Sequence, residues 1–527
     1  MELPQDTEQN TKQDTGQETE PDSGQYLEQD TQQNAEPDAE THKKPGIVYI
    51  FTQKDFKNHL SRKEEDIEAD VKNIKTSFEK LGYVVVPPME NWKKKKITDY
   101  LDDVRDYISS TYERMFVFVV THSKAAGKLL CEDDEISEEE IITIMKGEKY
   151  CKLLKLFVFQ ASQATKDPGA EKGSEDDGGF SISYPDEANL FIIRSSFELA
   201  LPTENGSFFL KVFCKCMENN GNKSLFNIMP EVLSELKATR KYSISPEPRN
   251  NILPEVTSTL LKPMFFHSDG RPTSVYEDQF FSGKLIVLNY NYNCQRTLYP
   301  VKEYREGTQY DVAAIEKSFG SVGFKVQVNN DLGADTVKTT LEKGVKCRER
   351  SCNRKPKCDL RHKGEAPTNY SDDTCIAIAI MTHGYDASIQ TTSEDMTIAE
   401  VINRLILSSS KGKPKEREDL SGKPKIFMLE VCRKSKESKP IYLPLDYDDV
   451  LVFHSSYHGK LAQRDPESGT LFIKILCEKI DEMEVGKFTS LIDIFQGVQD
   501  TFVNRHGSAQ MPVIYSTLTK NLLISKQ

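Results

Sequence analysis

The chain's 527 residues, 37% hydrophobic and 29% charged, are enough for two or three cored domains of ordinary globular composition. No apolar run approaches a membrane-spanning length, and the opening MELPQDTEQN has neither the basic nor the apolar part of a secretion signal, so no membrane partner is expected. A net charge of −13 makes nucleic acid an unlikely partner, and eleven cysteines, mostly single within apolar segments, read as reduced thiols of a cytoplasmic protein.

Residues 1–42 hold twelve acidic side chains against Lys12 alone, a charge of −11 that leaves the rest of the chain at −2. Built from Gln, Thr, Asp, Glu and Pro, with QDT at 5–7, 13–15 and 29–31, residues 1–44 have almost nothing to bury and are expected to be a disordered acidic tail. After the tail, IVYIFTQ (47–53) reads as a buried strand, and a helical stretch follows to SFEKLGYVVVP, where the next strand opens. An amphipathic helix then leads to MFVFVVTHS, a strand ending in Thr-His, and another helix leads to LLKLFVFQASQA (153–164).

The same order returns as LIVLNY (285–290), AAIEKSFGSVGFKVQV, CIAIAIMTHG and KPKIFMLEVCRK (423–434). Further on, GSFFLKVFCKC (206–216) mirrors GTLFIKILCEK (469–479), and LPEVTSTLLKPMF (253–265) mirrors MPVIYSTLTKNLL (511–523). Phe78 and Phe319 differ by 241, His122 and His383 by 261, Ser162 and Cys432 by 270, and Pro254 and Pro512 by 258. A repeat of that length means two cored domains, placed at 45–266 and 283–527 and joined by HSDGRPTSVYEDQFFS (267–282). Strands alternating with helices give the α/β class, a mainly parallel sheet covered on both faces.

Chemistry in such sheets collects where strands end. In the second copy two buried runs end at His383-Gly384 and at Cys432. Imidazole can take a thiol proton, and backbone N–H groups of Gly384 and Cys432 can hold an oxyanion. On spacing alone, a cysteine closing an apolar strand is more often just a small buried residue.

Longer stretches carry more weight. YREGTQYD (304–311) resembles the Arg-x-Gly-Thr-x-x-Asp turn of the caspases, cysteine endopeptidases that cut after aspartate. MTHG (381–384) resembles their Ser-His-Gly, and GKPKIFMLEVCR (422–433) the strand leading to Gln-Ala-Cys-Arg-Gly. HGKLAQRDPESGT (458–470) is similar to their Ser-Trp-Arg segment, and MPVIYSTLTKNL (511–522) to their final strand. His383 precedes Cys432 by 49 residues, near the family's spacing. The resemblance implies tandem caspase-like domains, each three-layer α/β/α around a mainly parallel six-stranded sheet. It also implies Cys432 as nucleophile, His383 as base, Gly384 as oxyanion donor, and Arg305 and Arg464 as the grip on a substrate aspartate. Glu430 stands where the family has a glutamine that helps bind that aspartate, Lys434 replaces a glycine, and Gln463 replaces a tryptophan. The pocket beside the cleaved residue is therefore expected to be less aromatic. A second carboxylate beside the substrate's should weaken cleavage at neutral pH, or turn the pocket towards a neutral residue such as asparagine.

The first copy keeps His122 and Gln160-Ala161 but has Ser162 for the nucleophile, Ser123 for the glycine and Leu201 for an arginine, so it reads as a pseudoprotease with a degenerate site. The connection after Cys432, KSKESKPIYLPL, has no aspartate, so the family's self-cleavage there is not expected. Pairing of 253–265 with 511–523 would make an internal pseudo-dimer; a homodimer through the same strands is the alternative.

The insertion at about 343–372 places Cys347, Cys352, Cys358 and His362 as C-x4-C-x5-C-x3-H, a set suited to zinc or, more plainly, a mobile basic loop; no other cofactor is expected. Expected partners are protein substrates with aspartate at the cut, and other caspases or their regulators. Two functions stand: a peptidase regulated by its first copy, in apoptosis or related signalling, or a silent adaptor or decoy that binds other caspases.

Overall fold

Strand formation follows the β-branched and aromatic runs. Ile47–Thr52 (β1), IVYIFT, is buried along its whole length, as expected of a strand covered on both faces. The structure, a computed structural model, describes residues 43–56, 64–125, 128–145, 147–163, 188–195, 206–221, 223–240, 254–261, 263–264, 266, 283–292, 304–343, 370, 373–385, 388–408, 415–432, 447–456, 462–506 and 510–526. Residues 1–42 of the acidic tail, Leu201, the linker at 267–282, Cys347, Cys352, Cys358 and His362 of the insertion, and Lys434 lie outside them, whereas Lys44 at the tail's end is ordered, its N–H donating to Thr111 O at 2.9 Å.

The first copy continues with α1 (Glu64–Lys80), β2 (Val84–Val85), α2 (Lys94–Thr111), β3 (Arg114–Ala125), α3 (Glu138–Ile144) and β4 (Leu154–Gln163). It closes with β5 (Leu190–Arg194), α4 (Phe208–Asn219), α5 (Leu225–Arg240) and β6 (Glu255–Ser258). The second copy repeats the order as β7 (Gly283–Asn289), α6 (Thr308–Ser321), β8 (Lys325–Asn330), α7 (Ala334–Lys343), β9 (Cys375–Thr382), α8 (Ile398–Ile406) and β10 (Lys425–Val431). It ends with β11 (Val450–His454), α9 (Leu471–Asp481), α10 (Leu491–His506) and β12 (Val513–Ser516).

Local details repeat with the elements. Ser137 and Thr397 cap α3 and α8, each accepting from the backbone N–H three residues on. The lysine that enters each twin strand, Lys155 or Lys425, is buried, with Nζ donating to backbone carbonyls just upstream. Helix α2 buries Ile97, Leu101, Val104 and Ile108, one stripe at helical spacing.

Both copies share one sheet, whose main path runs β8-β7-β9-β10-β11-β12-β6-β5-β4-β3-β1-β2. The expected pairing of the last strands is present within the chain. Strand β12 runs antiparallel to β6 with Ile514 opposite Ser258, Tyr515 opposite Thr257 and Ser516 opposite Val256. Under the 258-residue offset these pairs exchange with one another about Thr257–Tyr515, so the seam has two-fold symmetry. On one face a single apolar core runs beneath α1, α4, α5, α6, α9 and α10 and so crosses the seam. The opposite face has a separate core for each copy, although that of the second takes in Ala188 of the first. From Lys43 to Gln527 the chain forms one compact unit, so the two copies are not separately folded bodies. Among the described residues, no helix is long and apolar enough to cross a membrane.

Buried side chains pin the seam from both sides. Gln499 on α10 donates through Nε2 to Ser258 O at 3.1 Å and to Pro512 O at 2.8 Å. On the first-copy side, buried Arg194 meets Glu138 at 2.5 Å and Glu255 at 3.9 Å.

A continuous core predicts one cooperative unfolding transition for residues 43–527. Thr257→Pro removes a ladder N–H between two paired neighbours, and it should lower that whole transition by at least about 2 kcal/mol. Two calorimetric peaks, or a Thr257→Pro protein that loses only one, would contradict the shared core.

Candidate active site

Strands β9 and β10 run parallel with Met381 opposite Glu430 and Thr382 opposite Val431, and the pairing ends there. His383 and Cys432 are the next residues of each strand, side by side where the two backbones leave the sheet. After His383 the chain turns into a hairpin in which Gly384 faces Ile389. A Cβ on Gly384 would lie 2.2 Å from Val431 Cγ1, 2.4 Å from Ser388 O and 3.5 Å from Cys432 O. Only glycine fits against the Val431 side chain and the Ser388 carbonyl.

The His383 ring stacks on Tyr292, with centroids 5.6 Å apart and planes 10° apart. Tyr292 Oη shares a 2.5 Å hydrogen bond with Thr382 Oγ1 and donates to Gln390 O at 2.9 Å, which braces the histidine turn. The Cys432 thiol donates to Ala462 O at 3.9 Å, a long sulfur contact. Burial pushes this thiol above its ordinary range, and Glu430 adds to that; the Ala462 contact, Arg305 and Arg464 oppose it. A resting thiol of this kind needs a base to become a nucleophile.

Four segments bring Arg305, Asp311, Glu430 and Arg464 together near Cys432. Arg305, 3% exposed, donates through Nη1 to Tyr290 O at 3.0 Å and Met381 O at 2.8 Å. Arg464, half-buried, sits in a short hairpin opposite Thr470. Asp311 holds that hairpin: its Oδ1 accepts from Thr470 N at 2.7 Å and from Thr470 Oγ1 at 3.0 Å. Gly469 has φ +87°, and a Cβ there would lie 2.5 Å from Asp311 Oδ1. Burial raises Asp311 to about 6, against the Thr470 hydrogen bonds and the two arginines.

Glu430 is fully enclosed. Burial and then Asp311 push it up to about 8, while Arg305, Ser455 and Arg464 pull the other way. Burial and its carboxylate neighbour thus favour the protonated form over the carboxylate expected from sequence. Gln463 is exposed, and its backbone N–H donates to Gln510 Oε1 at 2.8 Å. Sequence reasoning assigned no role to Tyr292, Asp311, Ser455 or Gln510. One signal was available for Asp311: the 241-residue offset places it on Asp70. Asp70 accepts from Ser207 N at 2.6 Å beside Gly206, repeating the Asp311–Thr470–Gly469 arrangement.

The first copy differs at the strand ends. Strands β3 and β4 stay paired past Thr121–Ala161, through His122–Ser162 and Ser123–Gln163. Ser123 is buried in the strand where the second copy turns out at Gly384. The His122 ring packs on Phe56 with centroids 5.0 Å apart. The 241-residue offset also puts Glu64 where the second copy has Arg305.

The chain matches the caspase domain family over residues 45–265 and 365–523. It is 27% identical to Caspase-7 of Gallus gallus over 41% of this chain and 70% of that protein. It is 22% identical to human Caspase-14 over 48% of this chain and 98% of that protein. With Caspase-8 of Mus musculus it shares 23% identity over 45% of this chain, spanning half of that protein's length. The structure carries the second copy back beyond the family match to Gly283, through β7, α6, β8 and α7.

A proton-dependent stability follows from Glu430. Its folded value of about 8 lies above the ordinary 4.5, so its contribution is complete below 4.5 and is lost as pH rises through 8. In Glu430→Gln, melting midpoints should fall less between about pH 5 and about pH 8.5 than in the unmodified chain. Equal slopes in the two proteins would show that the buried acid does not titrate there.

Proposed function

The chain belongs to the caspase family, and from that premise we propose that its second copy is a cysteine endopeptidase cleaving after aspartate, with the first copy a silent structural partner. Cys432 is the nucleophile, His383 takes its proton, and Gly384 N–H with Cys432 N–H hold the oxyanion. Arg305, Arg464 and Glu430 receive the substrate side chain. The observation that supports this reading is the register of Thr382 opposite Val431, which makes His383 and Cys432 the next residue of neighbouring strands, with Arg305 bonded to Met381 one pair back.

The sheet weighs against the adaptor reading. Capture of another caspase through the last strand needs an unpaired edge, yet β12 lies between β11 and β6, and β6 between β12 and β5. The silent role of the first copy is supported by the zipped β3–β4 end and by the serine at 162. We place the activity in the cytoplasm, in apoptosis or related signalling. The family supports this, as do the seven described cysteines, all free thiols.

A fluoromethylketone peptide ending in aspartate should label the full chain at Cys432, and Cys432→Ala should abolish the label. Arg464→Ala should lower kcat/KM for aspartate substrates by about a hundredfold, mostly through KM, since a charge-assisted grip is lost. An unlabelled chain, or a label that survives Cys432→Ala, would sink the peptidase reading and favour the silent one.

A further inference from the structure

We propose that a proton on Glu430 selects the side chain this pocket accepts: aspartate when the proton is present, asparagine when it is absent. The inference rests on the peptidase reading above and adds a control over that site's specificity.

Geometry places Glu430 in the pocket. By strand alternation it shares a face with Ile426 and Met428, the face covered by α6 and α9. Its register partner is Met381, whose carbonyl accepts from Arg305 at 2.8 Å. On its other side Ser455 N donates to Leu429 O at 2.9 Å, which seats Ser455 next to it. Arg464, opposite Thr470, and Asp311, bonded to Thr470, close the ring. Glu430 is 2% exposed, and its Oε2 has no hydrogen-bond partner among the described residues. The groups facing it are thus Arg305 before α6, Asp311 on α6, Arg464 before α9, Ser455 after β11, and Cys432 on its own strand. His454 falls on the opposite face by alternation.

Charge counting then separates two states. With Glu430 neutral, two guanidinium groups against the Asp311 carboxylate leave one net positive charge, matched to one substrate carboxylate. With Glu430 ionised, the four groups cancel and an aspartate side chain gains no net attraction. Hydrogen bonding points the same way. A carboxylic acid donates through its O–H, as a glutamine amide donates through N–H, whereas a carboxylate only accepts. Asparagine supplies its own N–H donors to an ionised Glu430 and its carbonyl oxygen to the arginines. Burial, which holds Glu430 up to about 8, puts the crossover close to neutral pH. Binding an aspartate side chain above that point takes up one proton.

The test uses two fluorogenic peptides that differ only in a final aspartate or asparagine, with kcat/KM measured from about pH 6.5 to about pH 9.5. In the unmodified full chain the aspartate-to-asparagine ratio should fall at least tenfold across that range, with its midpoint near 8. In Glu430→Gln the ratio should stay constant within about twofold. A pH-independent ratio in the unmodified chain, or an unchanged slope in the variant, would overturn the inference. A second readout does not need catalysis: calorimetric binding of the same peptides to Cys432→Ala full chain, in buffers of different ionisation enthalpy. About one proton should be taken up per aspartate peptide at about pH 9, and none after Glu430→Gln is added. Proton-linked binding without cleavage would sink the peptidase reading and leave the pocket's proton in place. Cleavage without proton linkage would do the reverse, and failure to bind either peptide would overturn both.

Discussion

The antiparallel contact between Glu255–Ser258 and Val513–Ser516 turns two sheets into one, and most of the molecule's organisation depends on it. Each strand in that contact is already paired on its other side, so the seam leaves no edge there. The core beneath it is shared, and Gln499 reaches across it to Ser258. In a chain whose copies are tied by a short linker, such pairing forms at high effective concentration and does not wait for a second molecule. The connection after Cys432 has no aspartate for self-cleavage, so under the proposed peptidase function order in the second copy's site comes from within the chain. The seam is the structural element able to supply it.

The copies diverged at their strand ends. In the first, β3 and β4 remain paired through the histidine and serine positions, and Glu64 and Leu201 stand where the second copy has arginines. In the second, pairing stops two residues earlier, and a glycine with no room for a side chain turns the histidine strand away. Two ladder steps thus separate a closed strand end from an open one. The scaffold beneath is common to both: Asp70 with Gly206 and Ser207 repeats Asp311 with Gly469 and Thr470.

Much of this was legible in the sequence because the chain writes it twice. The apolar runs marked the strands, the offsets aligned the copies, and the final-strand motifs anticipated the seam. His383, Gly384 and Cys432 could be brought together because each ends a strand. Other features depend on packing between distant segments and leave no local mark. Glu430 is pushed towards its protonated form because α6 and α9, far along the chain in both directions, bury it. The stacking of Tyr292 on His383 joins residues 91 positions apart. Sequence implied two domains, and the family matches twice; what it did not show is the core that joins the copies on one face.

One chain holds both halves of the proposed catalytic unit. The most direct measurement of this is the specific activity of the full-length protein towards an aspartate-ending peptide, from about 1 nM to about 1 µM, with sedimentation run alongside. The account predicts constant activity per chain across that range and a sedimenting monomer throughout. Activity that rises with concentration as dimers form would contradict it, because the partner would then be another molecule rather than the first copy.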